Sequence, residues 1–153
     1  MNFKNPWTSR IERTILKAQK SIAELIGTRS GAKKIRRGAG GDMATKLDLK
    51  AEETIFRELE SYGEDAVFVS EELGKYYYKA DQNERLREFD KSKIEAKNFF
   101  IIDPLDGSTN AARGIPFSSI SIAYASGPSF SDIQTGSVIN LATGDLYTAE
   151  RGG

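Results

Sequence analysis

Apolar side chains are spaced along this chain in two regimes, first helical and then alternating. Ile11, Ile15, Ala18, Ile22 and Leu25 recur at steps of four and three residues, which lines one face of a helix ending near Gly27. Ser9 and Glu12 form a capping-box pattern at its start. Ala51, Ile55 and Leu59 repeat every four residues and predict a second helix that stops near Tyr62-Gly63. Between the two, Ser30 to Gly41 reads S-G-A-K-K-I-R-R-G-A-G-G and predicts a mobile basic loop.

Beyond Gly63 the pattern changes to strands. Ala66 to Ser70 is a short buried strand that runs straight into Glu71 and Glu72. Phe99, Phe100, Ile101 and Ile102 form another, leading into Asp103-Pro104-Leu105-Asp106-Gly107-Ser108. Pro104 is expected to stop ladder bonding after Asp103, and Gly107 permits an unusual backbone angle. Ser108 and Thr109 suit the cap of a following helical turn. Ser118 to Ala125, Ile133 to Ile139 and Leu146 to Ala149 predict further strands, the last two joined by a turn at Leu141 to Asp145. The charged stretch Lys75 to Lys97 opens with Tyr76, Tyr77 and Tyr78, and its Glu84 to Phe89 core reads as an exposed helix.

Composition narrows the chemistry. The chain has 153 residues, no Cys, no His and a formal net charge of +0. A disulfide scaffold and an electrostatic nucleic-acid binder are both disfavoured. Without His or Cys there is no Ser-His or Cys-His nucleophile pair and no ordinary zinc site. Catalysis would rest on carboxylates, hydroxyls and a hard metal, for which Mg2+ is the natural candidate. The first residues, Met1 to Trp7, lack an apolar targeting core, and no run approaches a membrane span, so the expected address is the cytoplasm.

Two strands that end in acids, with Asp42 at a loop-to-helix junction, can gather Asp42, Glu71, Asp103 and Asp106 around one cavity. Two carboxylates about 4 Å apart repel by about 4 kcal/mol at an effective dielectric near 20, so such a cluster needs protons or cations. Asp103 and Asp106 can hold one ion from two sides or bridge a pair, with the Leu105 carbonyl as a further oxygen ligand. The N–H groups of Gly107, Ser108 and Thr109 suit a phosphate oxygen. By themselves, Asp42 and Thr45 read as helix caps, and Glu71 and Glu72 as a surface pair.

The trio D-M-A-T-K-L-D (Asp42 to Asp48), V-S-E-E (Val69 to Glu72) and D-P-L-D-G-S-T-N (Asp103 to Asn110) resembles the inositol monophosphatase family of lithium-sensitive sugar phosphatases. The resemblance implies a layered α/β/α/β/α fold, of which residues 1–153 are the N-terminal α/β half, a helix pair on a largely antiparallel sheet. It implies two or three Mg2+ ions: Glu71, Asp103 and the Leu105 carbonyl for the first, Asp103 with Asp106 for the second. Asp42 and the Ser108 hydroxyl would orient the attacking water, with Glu71 close by. Leu105, Asp106 and the amides of Gly107 and Ser108 would lie against the substrate, a small polyol or sugar phosphate. A homodimer is expected, and neither nucleic acid nor membrane as partner.

Three departures stand out, one being that the charged Lys75 to Lys97 excursion is longer than the family's usual run between the Glu and Asp motifs. Ser108 replaces the family's usual Thr and keeps the hydroxyl. The W-D motif of the family's second half does not occur, since Trp7 is followed by Thr8. The alternative is therefore a catalytically incomplete fragment that folds and binds metal only. Two rivals fail on spacing: a dehalogenase-type phosphatase needs D-x-D, and a calcium loop opening at Asp103 would place Gly114 where Glu belongs.

Overall fold

The first helix starts one turn earlier than the Ser9/Glu12 pattern predicts. In the computed structural model, which describes residues 5–90 and 96–153, α1 spans Pro6–Ile22. Asn5 is its N-cap, accepting from the Trp7 amide at 2.9 Å. Pro6 can open the helix because the N–H it lacks would have been unsatisfied there. Ser9 instead donates to the Pro6 carbonyl, and Glu12 accepts from the Thr148 hydroxyl at 2.8 Å. The helix gives way to a 3-10 turn, Ala23–Leu25, just before Gly27.

The expected basic loop is instead a small antiparallel hairpin, with β1 at Lys34–Arg37 and β2 at Met43–Thr45. Local glycines still form its turn, but the arms close a ladder that composition does not reveal. Helix α2, Lys46–Glu60, begins on a true capping box: Thr45 accepts from the Asp48 amide, and Asp48 accepts from the Thr45 amide at 2.6 Å.

A seven-stranded sheet follows, in the order β5-β4-β3-β6-β7-β8-β9. Its strands are β3 Ala66–Ser70, β4 Gly74–Lys79, β5 Glu84–Leu86, β6 Asn98–Asp106, β7 Ser119–Ala125, β8 Ile133–Asn140 and β9 Leu146–Glu150. The short helix α3, Ser108–Arg113, interrupts between β6 and β7. All neighbours pair antiparallel except β3 and β6, which run parallel at the centre.

The exposed helix expected at Glu84 to Phe89 is absent: β5 pairs with β4 through Tyr77↔Leu86 and Tyr78↔Arg85. Helix α2 drives this outcome. Arg85 forks onto Glu60 with bonds of 2.6 and 2.8 Å, and Tyr76 donates to the same carboxylate, so the segment is held flat along the sheet edge. Residues 91–95 of that charged stretch and the leading Met1 to Lys4 lie outside the described residues.

Both long helices pack on one face of the sheet. Ile11, Ile15, Ala18 and Ile22 meet Ala51, Ile55 and Leu59, with Phe68, Phe100, Ile102, Ile120, Ile122 and Ile139 beneath them. An aromatic row of Tyr76, Phe68, Phe100 and Trp7, with successive ring centroids 4.9, 5.3 and 4.8 Å apart, backs β3 and β6. The opposite sheet face leaves Val69, Ile101, Val138 and Tyr147 exposed.

Candidate active site

The parallel pairing of β3 and β6 determines which acids meet. Its last pair, Ser70↔Ile102, puts the next residues, Glu71 and Asp103, at the same level of two adjacent strands. Neighbouring strands lie about 4.8 Å apart, so these carboxylates are forced into each other's field.

Asp106 joins them through a bulge. A D-x-x-D spacing would place the two acids on opposite faces of a regular strand. Between Asp103↔Ser121 and Asp106↔Ser119, however, β6 carries one residue more than β7. Leu105 stays in the core with Ile102, and Asp103 and Asp106 turn to the same side. Pro104 does not end the strand as expected; lacking an N–H, it sits where the bulge leaves the ladder open. The Leu105 amide donates to Asp103 Oδ1 at 3.2 Å and steadies that carboxylate.

The placement has an electrostatic consequence. Burial, followed by the charges of Glu71 and Asp106, pushes Asp103 up to about 6. Burial also raises Glu72 to about 7, with Asp48, Glu52 and Glu71 adding to the effect. Asp48 contributes to both shifts. It is the acid that motif reading passed over: buried at the start of α2, it had a visible signal in the T-x-x-D capping pattern. Asp42 stands exposed in the β1–β2 turn, where its carbonyl accepts from Gly38. That turn nevertheless leans on the acids, because the Ala39 and Gly40 amides donate to the Glu72 and Glu71 carbonyls at 2.9 and 3.0 Å.

At the far end of the bulge, Gly107 adopts φ 73° and opens α3, whose first residue is the half-buried Ser108. A 310 Å³ cleft adjoins it, lined by Asp106, Gly107, Asn110, Phe117, Asn140 and Tyr147, among others. Among the described residues no three acids converge tightly enough to form a ready-made cage for a metal. The donor set still suits a hard divalent cation: all oxygen, mutually repelling, and gathered where burial and neighbouring acids already penalise the charge of Asp103.

These shifts carry a pH signature. A group whose pKa is raised on folding keeps in the native state a proton that the unfolded chain has released. Asp103 and Glu72 should therefore lower the stability of the metal-free protein as pH climbs from about 4 to about 8, levelling off once Glu72 has ionised. Melting curves across that range should show wild type losing ground to Asp103→Asn. A constant difference between the two would refute the raised pKa.

A helix pair on one face of a mostly antiparallel sheet, whose central parallel strands deliver acids to one end beside a glycine-opened helical turn, defines an acid-centred α/β protein. The chain belongs to the inositol monophosphatase family, whose model matches residues 7–153. It is 33% identical over 152 residues to a fructose-1,6-bisphosphatase/inositol-1-monophosphatase of Methanothermobacter thermautotrophicus, covering 95% of this chain and 50% of that one. An inositol-1-monophosphatase of Mesorhizobium japonicum is 33% identical over 138 residues, 90% of this chain and 45% of its own. The crystal structure of the extragenic suppressor protein SuhB from Bartonella henselae superposes with a TM-score of 0.72 at 29% identity, over 97% of this chain and 50% of that chain. The chain thus spans about half the length of the relatives it matches.

Proposed function

We propose that residues 1–153 are the N-terminal half of a Mg2+-dependent phosphomonoesterase acting on a small polyol or sugar phosphate. The observation that carries this reading is the crowding of Glu71, Asp103 and Asp106, with Asp48 behind them, at the end of two parallel strands. Family membership, and relatives named for inositol-1-phosphate and fructose-1,6-bisphosphate hydrolysis, support the substrate class.

In this reading Glu71, Asp103 and the Leu105 carbonyl hold one ion, and Asp103 with Asp106 a second. When bound, the metal supplies Lewis acidity for the phosphoryl oxygens and acidifies water. The Gly107 and Ser108 amides bind the phosphate, and the cleft beside Asp106 receives the alcohol portion. Ser108 and a carboxylate from the start of α2 orient the attacking water. Of the two acids in D-M-A-T-K-L-D, Asp48 is the better supported, since its charge reaches Asp103 and Asp42 is exposed. The family resemblance extends the proposal to lithium inhibition, a homodimer and a cytoplasmic location.

A second reading, a half that folds and binds metal without turnover, is favoured by the uncovered apolar sheet face with Val69, Ile101, Val138 and Tyr147. Phosphate release from inositol-1-phosphate and fructose-1,6-bisphosphate, with Mg2+ or EDTA, separates the possibilities. Mg2+-dependent turnover supports the enzyme, and a Mg2+-stabilised but silent chain supports the half. Turnover in EDTA would overturn both.

A further inference from the structure

One buried carboxylate outside the recognised motifs holds the turn that presents Glu71. Glu52 lies on α2 and is 1% exposed. Its Oε1 accepts from the Ser70 hydroxyl at 2.5 Å and from the Leu73 amide at 3.0 Å. Ser70 and Leu73 bracket Glu71 and Glu72, so a single oxygen ties down both sides of the turn. Its other oxygen lies 3.9 Å from Arg36 Nη2, while Arg36 Nη1 donates to the Glu72 carbonyl at 3.4 Å. Further bonds onto the turn come from Ala39 and Gly40 of the β1–β2 hairpin, which Arg36 anchors to the same carboxylate. Glu52 is therefore the junction of helix, strand end and hairpin.

We infer that Glu52 is a positioning residue, which fixes the direction in which the β3–β4 turn offers Glu71 to a divalent cation. This rests on the proposed role of Glu71 as a ligand. The physical reason is the geometry of the turn: Glu71 is exposed, and the bonds that order the turn are made by its backbone and by Ser70. A ligand on a three-residue turn is only as well aimed as the backbone at its two ends, and both ends are bonded to one acceptor. The acceptor comes from a helix packed into the core, so the aim is set by the rigid part of the fold.

Mn2+ titration by calorimetry, with melting temperature recorded on the same samples, tests the assignment. Glu52→Leu matches the volume but cannot accept either bond, and should bind Mn2+ about tenfold more weakly than wild type while still folded. Glu52→Gln keeps an acceptor oxygen and should recover most of that affinity. Ser70→Ala removes one of the two bonds with little change of volume and should fall between, which keeps the test decisive if Glu52→Leu does not fold. A merely structural Glu52 would lower the melting temperature and leave the affinity of the folded protein unchanged. That result, with Glu71→Gln weakened, overturns the positioning role. Wild-type affinity in Glu71→Gln as well would instead remove the ligand reading beneath it.

Discussion

Asp103→Asn is expected to cut Mg2+-dependent phosphate release by about a thousandfold and leave the fold intact or firmer. Asp103 is the acid shared by both proposed ions, and it stands between Glu71 and Asp106 at the strand end. Asn keeps the shape and an oxygen for the Leu105 amide, so the 3.2 Å bond that steadies the bulge can persist. It removes the charge that burial and two neighbouring acids already penalise. Without metal the variant should therefore melt at or above the wild-type temperature, and added Mg2+ should no longer raise it. Wild-type turnover in Asp103→Asn would dismiss the site.

Gly107→Ala should cost about 3 kcal/mol of stability, from left-handed backbone strain of about 1–2 kcal/mol plus steric conflict. The backbone at Gly107 has φ 73°, and an added Cβ would lie 2.7 Å from the Phe117 carbonyl oxygen. That oxygen belongs to the backbone and also accepts from the Asn110 side chain at 2.9 Å, so it has little room to retreat. Gly63, at φ 69° with nothing within 4 Å of an added Cβ, is the control. Gly63→Ala should show only the conformational part, about 1 kcal/mol. Urea denaturation of the two variants distinguishes them; equal losses would mean that the close approach at Gly107 is relieved by adjustment.

Much of the architecture was legible because periodicity reports burial directly. Strands β3, β7, β8 and β9 fall within a residue of the alternating runs that predict them, and α2 begins and ends where its cap and glycine signals lie. Legibility failed where a partner distant in sequence chose the state. The Glu84 to Phe89 core carries good helix formers, but the fork of Arg85 onto Glu60 and the ladder to Tyr77 and Tyr78 hold Glu84–Leu86 as a strand. Lys34–Arg37 pairs across to β2 although its composition reads as a mobile basic loop.

The site divides in the same way. Which residues bear chemistry was written in the chain: a sequence without His or Cys leaves carboxylates and hydroxyls, and three acidic motifs contain them. Which of those acids meet was decided only in three dimensions. The parallel register of β3 and β6 set Glu71 beside Asp103, and the bulge at Pro104 brought Asp106 to the same side. The capping box at Thr45 turned Asp48 inward, and the hairpin left Asp42 exposed. Residue type and period are local properties of a chain, whereas register and bulge position depend on strand pairs tens of residues apart. Coulomb repulsion among the gathered acids exists only once those pairs have formed.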